Sequence, residues 1–545
     1  MNRGLFYADV RKERQASESH GIFLSLPHCY FSAIPPLSRS YPSLIPLLSR
    51  SYLSLPGYVK LIVQKKVSIC LKHRNGNRNI CYLCGLIKTR KMIDEHFLLP
   101  LVHREDAQTT LFQADFLNLV DFIQQVHPLP DVDARKFEVL SRTAQAAYEG
   151  MGKLETLPDF WTKVNQWLAQ LRDAHTFFMP DFKEAYSYTI RYFNGSFYFY
   201  ALPDTCPNDT GMVITAINGQ AMKEVADRCY TLLPSENSAK ACIFGSFCLS
   251  QKSFLHALGI DTRGGLHFSL SNGNEVEMPI GMLASRAIRQ RLVKRMTHPI
   301  TGQQEAPYTC RLINNVCYFQ FNAMYDRFTY LQSCRLRGIE ADEAVVQALP
   351  LFTDFLRELG TVLKRQRIKT LVIDLRYNGG GNSLLGDQLL QFLGINLDDI
   401  HSYQTHIRRS SFLITHYPHL FSTRIDNHTE TAWTKDIPPF SGQVYFLQGQ
   451  NTFSSANYLL TTIKDNALFP ILGTPTSQKP TCFGDVLPVC IPLTGIRGFV
   501  SHSYFIRPRK EDKADTLTPD IFIPYSLEEY LHGQDPCWNW IEMHR

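Results

Sequence analysis

The chain has 545 residues, of which 44% are hydrophobic and 19% are charged. This length is enough to bury a large core and to form two to four domains of the usual ~100–200 residues each. The formal net charge of +6 is unevenly distributed, because residues 1–91 hold 15 Lys and Arg against 3 Asp and Glu, which leaves 41 against 47 for the remainder. The remainder is mildly acidic, which disfavours a nucleic-acid-binding function there, since phosphate binding needs a basic face.

The first 91 residues have the pattern of a low-complexity segment. The pentapeptide LSRSY at residues 37–41 recurs at residues 48–52, inside a stretch rich in Ser, Pro and Leu that has neither a helical nor a strand period. Such a basic segment could bind nucleic acid or an anionic membrane surface, but we favour an unstructured extension, or translation that starts at Met92. Neither a signal peptide at residue 1 nor an apolar run of ~20 residues is present, so no membrane span is predicted.

The 14 cysteines do not form a metal-binding pattern. Cys81 and Cys84, with Cys70 nearby, supply only half of a zinc site, since no second pair of Cys or His follows at a suitable spacing. The histidines between residues 401 and 428 lack both an i,i+4 pair and flanking carboxylates, so a solvated insertion is the preferred interpretation. We therefore predict neither a metal nor a cofactor.

The periodicity of the remaining chain changes near residue 180. Apolar residues recur at three- and four-residue intervals over residues 115–176, which predicts a helical domain at residues 92–180. Residues 181–283 instead show aromatic alternation, followed by an apolar strand and an Asn-Gly turn at Asn218 and Gly219. This second region is therefore predicted to be rich in strands.

Residues 284–545 alternate between predicted strands and helices. Strands are predicted at 316–321 and 370–375, and helices at 344–365 and 383–393. Such alternation is typical of a mostly parallel sheet covered by helices. The predicted fold class of this region is therefore α/β.

Two segments of this region carry the strongest functional signal. Residues 371–381, LVIDLRYNGGG, form an apolar run that ends in a glycine cluster, as in a buried strand followed by a loop whose backbone closely approaches a ligand. Residues 452–456, TFSSA, follow another apolar run and precede a helical pattern, so Ser454 lies at a predicted strand-to-helix junction. A serine at such a junction either caps the helix or serves as a nucleophile.

Together with further motifs, these segments resemble the tail-specific, or C-terminal processing, protease family, which includes the tricorn core peptidases. The further motifs are DAHT at residues 173–176, GTPT at 473–476, KPT at 479–481 and TPDI at 518–521. All of them occur in the order that the family shows, although an alanine replaces the usual glycine in the first. The resemblance spans residues 130–545 and implies a PDZ-like domain at 181–283 and a ClpP/crotonase-like α/β core at 284–545.

The resemblance implies a serine endopeptidase that hydrolyses peptide bonds through a serine acyl-enzyme. Its partners would be protein or peptide substrates with unstructured tails, which a PDZ-like domain accepts by adding an extended chain to the edge of its sheet. Family members commonly act outside the cytoplasm, so an extracytoplasmic location is implied, whereas the oligomeric state stays open. The alternative is a catalytically inactive protein that binds peptides or apolar ligands, because the interphotoreceptor retinoid-binding proteins also resemble these peptidases.

The resemblance also assigns roles within the site. It makes Ser454 the nucleophile, with Ser455 as the adjacent competitor. It places the amides of Gly380 and Ser455 where a developing oxyanion needs donors. Asp374 and Arg376 are expected to hold the glycine loop through hydrogen bonds rather than to act on substrate.

Two residues are candidates for the general base. Lys479 stands 25 residues after Ser454, where the processing-protease branch has its lysine, but a lysine must be desolvated to be neutral near pH 7. His175 lies in the segment that supplies the base of the tricorn-like branch, and the pKa of histidine already suits the task. We favour His175, and either Asp512 or Asp515 could orient it.

Deletion of residues 1–91 should leave the melting temperature and the peptidase activity nearly unchanged, because a low-complexity basic segment supplies no periodic apolar face to a core. The measurement is a paired thermal melt and peptide-cleavage assay on the full chain and on a chain that starts at Met92. A clear drop in the melting temperature on truncation would show that the segment packs against the folded domains.

Overall fold

The computed structural model describes residues 97–178, 186, 188–201, 209–278, 306–336, 339–421 and 439–545. The interpretations of residues 1–91, including the half zinc pattern at Cys81 and Cys84, lie outside the described residues. The described part has a mixed α/β fold. None of its helices is both long enough and apolar enough to cross a bilayer.

Four helices follow a short first strand. These elements are β1 (Phe97–Leu98), α1 (Leu111–Val126), α2 (Leu129–Val132), α3 (Ala134–Met151) and α4 (Leu157–Leu168). α1 begins at a capping box, in which the Thr110 and Gln113 side chains each accept the other residue's backbone N–H. The helices pack their apolar stripes together, and Phe116, Trp161 and Leu168 are among the side chains buried between them.

The next part of the chain is dominated by antiparallel strands. Its strands are β2 (Phe177–Phe178), β3 (Tyr188–Phe193), β4 (Ser196–Ala201), β5 (Ile214–Ile217), β6 (Gln220–Ala221), β7 (Leu266–Leu270) and β8 (Glu275–Met278). Its helices are α5 (Met222–Leu232), α6 (Ser238–Cys248) and α7 (Lys252–Ala257). β3 and β4 form a hairpin in which the turn residues Asn194 and Gly195 have φ of 46° and 87°, as a type I′ turn requires. The last four strands form a separate sheet in the order β6-β5-β7-β8.

A six-stranded sheet forms the centre of the C-terminal part. The remaining strands are β9 (Tyr308–Ile313), β10 (Val316–Phe321), β11 (Thr370–Asp374), β12 (Gln404–Ile407), β13 (Gln443–Gln448), β14 (Ile471–Gly473), β15 (Cys482–Cys490), β16 (Arg497–Ile506) and β17 (Ile521–Phe522). The six run in the order β17-β14-β13-β11-β10-β9, and all neighbours are parallel except β10 and β9. The predicted mostly parallel sheet is confirmed.

The remaining helices lie in the C-terminal part of the chain. They are α8 (Arg327–Leu336), α9 (Glu343–Ala348), α10 (Phe352–Arg365), α11 (Leu384–Phe392), α12 (Ser411–His416), α13 (Ser455–Asp465), α14 (Leu527–Leu531) and α15 (Pro536–His544). α10, α11 and α13 share a core with the sheet, to which they contribute Leu356, Leu389 and Leu459. The prediction of one helix over residues 344–365 is wrong, because Pro350 separates α9 from α10 and forces the preceding residue, Leu349, into an extended conformation.

A second sheet joins the N-terminal part of the chain to the C-terminal part. It has the order β1-β15-β16-β12, and β2 pairs with β16, with Phe177 opposite Phe499 and Phe178 opposite Gly498. A Cβ at Gly498 would lie 2.4 Å from the Phe177 carbonyl oxygen and 2.6 Å from Phe178 Cγ. β2 begins two residues after His175, so this close pairing fixes the segment that carries His175.

Gly498→Ala should destabilise the protein by about 1–3 kcal/mol, because the added methyl group has no room between the strands and the backbone must shift. The measurement is the free energy of unfolding from a urea titration. Gly150→Ala is the control, since nothing lies within 4 Å of a Cβ at Gly150, near the end of α3. Equal stability of the two variants would contradict the prediction.

Candidate active site

Ser454 lies immediately before α13, at the end of the loop that leaves β13. Its backbone has φ 54° and ψ −128°, a region that costs a non-glycine residue free energy. Hydrogen bonds hold this conformation, because the Ser454 N–H donates to the side-chain oxygen of Gln478 and the Ser454 carbonyl accepts from Tyr458 N at 2.9 Å. The Ser454 hydroxyl makes no capping hydrogen bond to α13, which argues against the helix-cap alternative.

The glycine cluster forms a loop that packs directly against Ser454. Gly380 has φ 99°, and a Cβ there would lie 2.5 Å from Ser454 Cβ and 2.9 Å from Ser455 N. The Gly380 N–H donates to Asn378 Oδ1 at 2.8 Å, so this amide points into its own loop. Ser455 is the first residue of α13, where a backbone N–H has no intrahelical acceptor. Of the two predicted oxyanion donors, Ser455 offers its N–H. The Gly380 N–H is taken up by Asn378, and the contribution of Gly380 is its missing side chain, which leaves room for Ser454.

Asp374 and Arg376 lie at the strand end that precedes the glycine loop. The Arg376 guanidinium lies 2.8 Å from Asp374 Oδ2 and 2.6 Å from Asp535 Oδ2, and all three side chains are largely buried. The Thr452 hydroxyl donates to the Leu375 carbonyl at 2.9 Å, which ties the loop that carries Ser454 to the same strand end. The Thr452 bond therefore links the loop before α13 to the start of the glycine loop, whereas the Arg376 ion pairs join this strand end to Asp535.

His175 reaches Ser454 from a part of the chain 279 residues away. Its Nε2 lies 3.1 Å from Ser454 Oγ, which is hydrogen-bond reach for a nucleophile and its base. His175 is 2% exposed, and its ring stacks on Phe453 with the ring centroids 4.6 Å apart. Lys240 Nζ lies 3.4 Å from the centroid of the same Phe453 ring, so a positive charge sits close to the imidazole.

Asp173 fixes the segment that carries His175. Asp173 Oδ1 accepts the His175 backbone N–H at 2.8 Å, while Oδ2 accepts the Ser501 hydroxyl at 2.7 Å and lies 3.2 Å from His127 Nε2. Burial alone would raise the pKa of Asp173, but the hydrogen bond and the charge of His127 outweigh burial and hold this pKa at about 2. Asp173 is therefore ionised at neutral pH, and its oxygens are committed to these three donors.

Burial controls the protonation state of His175. It lowers the pKa of His175 to about 4, although the negative charge of Asp173 opposes the shift; the positive charge of Lys240 adds to it. The imidazole is therefore neutral at pH 7, which is the form that accepts a proton from a serine hydroxyl.

Lys479 and the two acids suggested by the sequence, Asp512 and Asp515, take no part in the contact between His175 and Ser454. Lys479 Nζ is 2.8 Å from Asp515 Oδ1, and the lysine side chain is 36% exposed. Asp512 pairs with an arginine at 2.8 Å. Among the described residues, His175 is contacted by neither acid. Gln478, the neighbour of Lys479, is the side chain of this loop that accepts the Ser454 backbone N–H.

Glu236 lies beside His175 and was not identified from the sequence. Its Oε1 is 4.0 Å from His175 Nδ1, and its side chain is 2% exposed. Burial, reinforced by the charge of Asp173 and opposed by that of Lys240, raises the pKa of Glu236 to about 7. Ligand atoms of Asp173, His175 and Glu236 lie within 4.8 Å of one another, a set that could hold a metal ion. No sequence signal marks Glu236, because it stands alone in the loop between α5 and α6.

Known proteins share this architecture. Residues 345–521 match the sequence profile of peptidase family S41. Similar solved structures include mature CPAF, with a TM-score of 0.54 and 15% identity over 79% of this chain and 96% of CPAF. The structure of mature CPAF complexed with lactacystin has a TM-score of 0.53 and 15% identity over 79% of this chain and 97% of the other. These identities show a common fold alone, and a search of curated proteins finds no match.

Proposed function

We infer that this chain, which belongs to peptidase family S41, is a serine peptidase that cleaves proteins or peptides through an acyl-enzyme on Ser454. The observation that carries the inference is the 3.1 Å contact between Ser454 Oγ and His175 Nε2, next to the N–H at the start of α13. A nucleophile in reach of a neutral base is what acyl transfer needs. The binding-only alternative has less support, since ligand binding does not need this contact.

In the acylation step, Ser454 Oγ attacks the scissile carbonyl carbon while its proton passes to His175 Nε2. The carbonyl π electrons move to oxygen, and the oxyanion accepts a hydrogen bond from the Ser455 N–H at the positive end of the α13 dipole. Collapse of this intermediate breaks the C–N bond, and His175 returns its proton to the leaving amine. The acyl group then remains on Ser454 as an ester.

In the deacylation step, His175 plays the same part toward water. Its Nε2 takes a proton from the attacking water, a second oxyanion forms at the same N–H, and the proton returns to Ser454 Oγ as the ester bond breaks. Both half-reactions therefore require a neutral His175 whose Nε2 carries no proton at the start. The low pKa of the buried imidazole keeps it neutral at pH 7.

We propose that substrates with unstructured tails dock on a PDZ-like domain at residues 181–283, between a helical domain at 92–180 and a ClpP/crotonase-like core at 284–545. The support is the four-stranded sheet in which β8 is a terminal strand and pairs only with β7 within the described part of the chain. β8 alternates exposed and buried side chains, as an edge strand open to an extended peptide does.

Ser454→Ala should lower kcat for peptide hydrolysis by roughly 10⁴–10⁶-fold while leaving the melting temperature close to that of the parent, because it removes only the nucleophilic oxygen. The measurement combines peptide cleavage with covalent labelling by a fluorophosphonate probe. Ser455→Ala is the matched comparison, since it keeps the amide at residue 455 and should still be labelled. Labelling of the Ser454→Ala variant, with none in Ser455→Ala, would move the nucleophile by one residue.

His175→Ala should lose nearly all turnover, whereas Lys479→Ala should stay close to the parent, because removal of Lys479 breaks only an exposed ion pair with Asp515. The measurement is kcat for both variants on one peptide substrate at pH 7. A dead Lys479→Ala variant beside an active His175→Ala variant would assign the base to the lysine instead.

A further inference from the structure

His175 has a second ring nitrogen, Nδ1, which does not take part in the contact with Ser454. A general-base imidazole works when its other ring nitrogen carries the proton and donates it to a fixed acceptor, since this selects the tautomer with a free Nε2. His175 Nδ1 is buried and makes no hydrogen bond within the described residues. If Nδ1 carries the proton, its acceptor must be one of the groups that surround the ring.

Glu236 has the complementary deficiency. Both of its carboxyl oxygens are buried, and neither has a hydrogen-bond partner of good geometry in the described part of the protein, although the backbone N–H groups of Ala174 and of Glu236 itself partly oppose the rise in its pKa. A buried carboxylate without a donor is costly, so such a group is expected where the structure uses it. The nearest approach joins the two unsatisfied groups, with Glu236 Oε1 4.0 Å from His175 Nδ1.

Asp173 is the rival acceptor, with Oδ1 at 3.8 Å from His175 Nδ1. Its carboxylate already accepts the His175 backbone N–H and the Ser501 hydroxyl and contacts the His127 ring. The short distance to Nδ1 follows from the turn that Asp173 caps, and rotation toward Nδ1 would break these bonds. Glu236 has only weak backbone contacts, with the N–H groups of Ala174 and Glu236, to lose.

We propose that Glu236 is the positioning residue of the base, accepting the Nδ1 proton of His175 and so completing a Ser454–His175–Glu236 relay. This inference rests on the proposed function of Ser454 and His175. Closure of the 4.0 Å gap needs only a small side-chain movement. Catalytic hydrogen bonds are commonly long in the free enzyme and tighten in the substrate complex.

The backbone around Glu236 is held in place. The next residue, Asn237, caps α6 by accepting the Lys240 N–H at 2.9 Å, and its side-chain amide donates to the Asp515 carbonyl at 2.8 Å. The loop that carries Glu236 is therefore fastened to the C-terminal part of the chain. A fixed backbone, with a carboxyl group that is not engaged by any other side chain of the described residues in a hydrogen bond of good geometry, is suited to orienting the imidazole.

The relay predicts a particular pH dependence. The titratable or charged groups that face the pair are Asp173 and His127 near β2 and α1, Lys240 on α6, and Cys482 and Asp485 on β15. With its pKa raised to about 7 by burial, Glu236 is protonated at lower pH and then donates to Nδ1, which leaves the imidazole proton on Nε2. Activity should therefore rise with pH through about 7, well above the pKa of about 4 of His175 itself.

The test compares the full-length parent with Glu236→Gln and Glu236→Ala. Both variants should lose about 10²–10⁴-fold in kcat, as expected when a base loses its orienting acid, with little change in KM. In Glu236→Gln the acid limb of the kcat/KM profile should move to lower pH. Asp515→Asn, which removes one of the two acids suggested by the sequence, is the control and should keep both kcat and the parent profile.

The outcomes separate this proposal from the one on which it depends. If the parent is neither labelled by a fluorophosphonate nor active, the proposed function fails. If the parent is labelled and active and Glu236→Gln has its kcat and pH profile, only the role of Glu236 is overturned. A reduced kcat with an unmoved profile in both variants would also overturn it, because it indicates a structural role.

A divalent cation is the competing use of the same three side chains. A cation bound to His175 Nδ1 would leave the imidazole proton on Nε2 and block the base. Activation of the parent by a chelator, lost in Glu236→Gln, would therefore overturn the relay and assign the cluster to metal binding. Parent activity that is indifferent to a chelator supports the relay.

Discussion

The pairing of β2 with β16 is the constraint on which the site depends. β2 has only two residues, yet its pairing holds His175, two residues before it, next to Ser454, which lies 279 positions away in the sequence. Two side-chain bonds reinforce the pairing, since the Thr176 hydroxyl oxygen accepts the Ser501 N–H and Asp173 accepts the Ser501 hydroxyl. A displacement of about 1 Å at this junction would separate His175 from Ser454 enough to cost much of the rate of the proposed reaction. The pairing also requires that residue 498 has no side chain, because a Cβ there would clash with β2.

The two buried acids beside His175 act on stability in opposite directions. The pKa of Asp173 is lowered to about 2, so the stability that its ionised form contributes is present above its ordinary value of 3.8 and is lost as the pH falls through about 2. The pKa of Glu236 is raised to about 7, so the stability associated with its neutral form is full below 4.5 and is lost as the pH rises through about 7. At neutral pH ionised Asp173 therefore stabilises the folded state. Burial of Glu236 lowers the stability of the fold once the pH exceeds about 7, as is often found for functional groups.

The sequence predicts those features that depend on local patterns. The apolar β-branched runs give β10 and β11 with nearly their observed bounds, and the run-to-helix transition places Ser454 at a junction. Motif order brings His175 into consideration. The helix over residues 344–365 fails because the apolar period continues through Pro350, and the period alone does not register the proline.

The remaining differences arise where tertiary contacts decide. Lys479 and Gln478 are adjacent in an irregular loop, where no sequence periodicity predicts which side chain faces Ser454. In the structure, Gln478 accepts the Ser454 N–H and Lys479 pairs with Asp515. Gly380 matches its motif, but the Asn378 side chain takes up its N–H. Glu236 is visible only once the loop before α6 is placed against the loop that follows α4.

The division of the site along the chain has a mechanistic consequence. The segment that matches family S41, residues 345–521, holds Ser454, the glycine loop and Gln478, whereas His175 and Glu236 both precede it. A strained serine beside a helix N-terminus is a weak nucleophile without a neutral base, because its hydroxyl is fully protonated at pH 7. Asn237 is bonded to the Asp515 carbonyl next to Glu236, so the same loop that presents the acid also binds the C-terminal part. The contact between His175 and Ser454 therefore depends on how the preceding region packs against the matched segment, and the proposed chemistry requires both to be folded together.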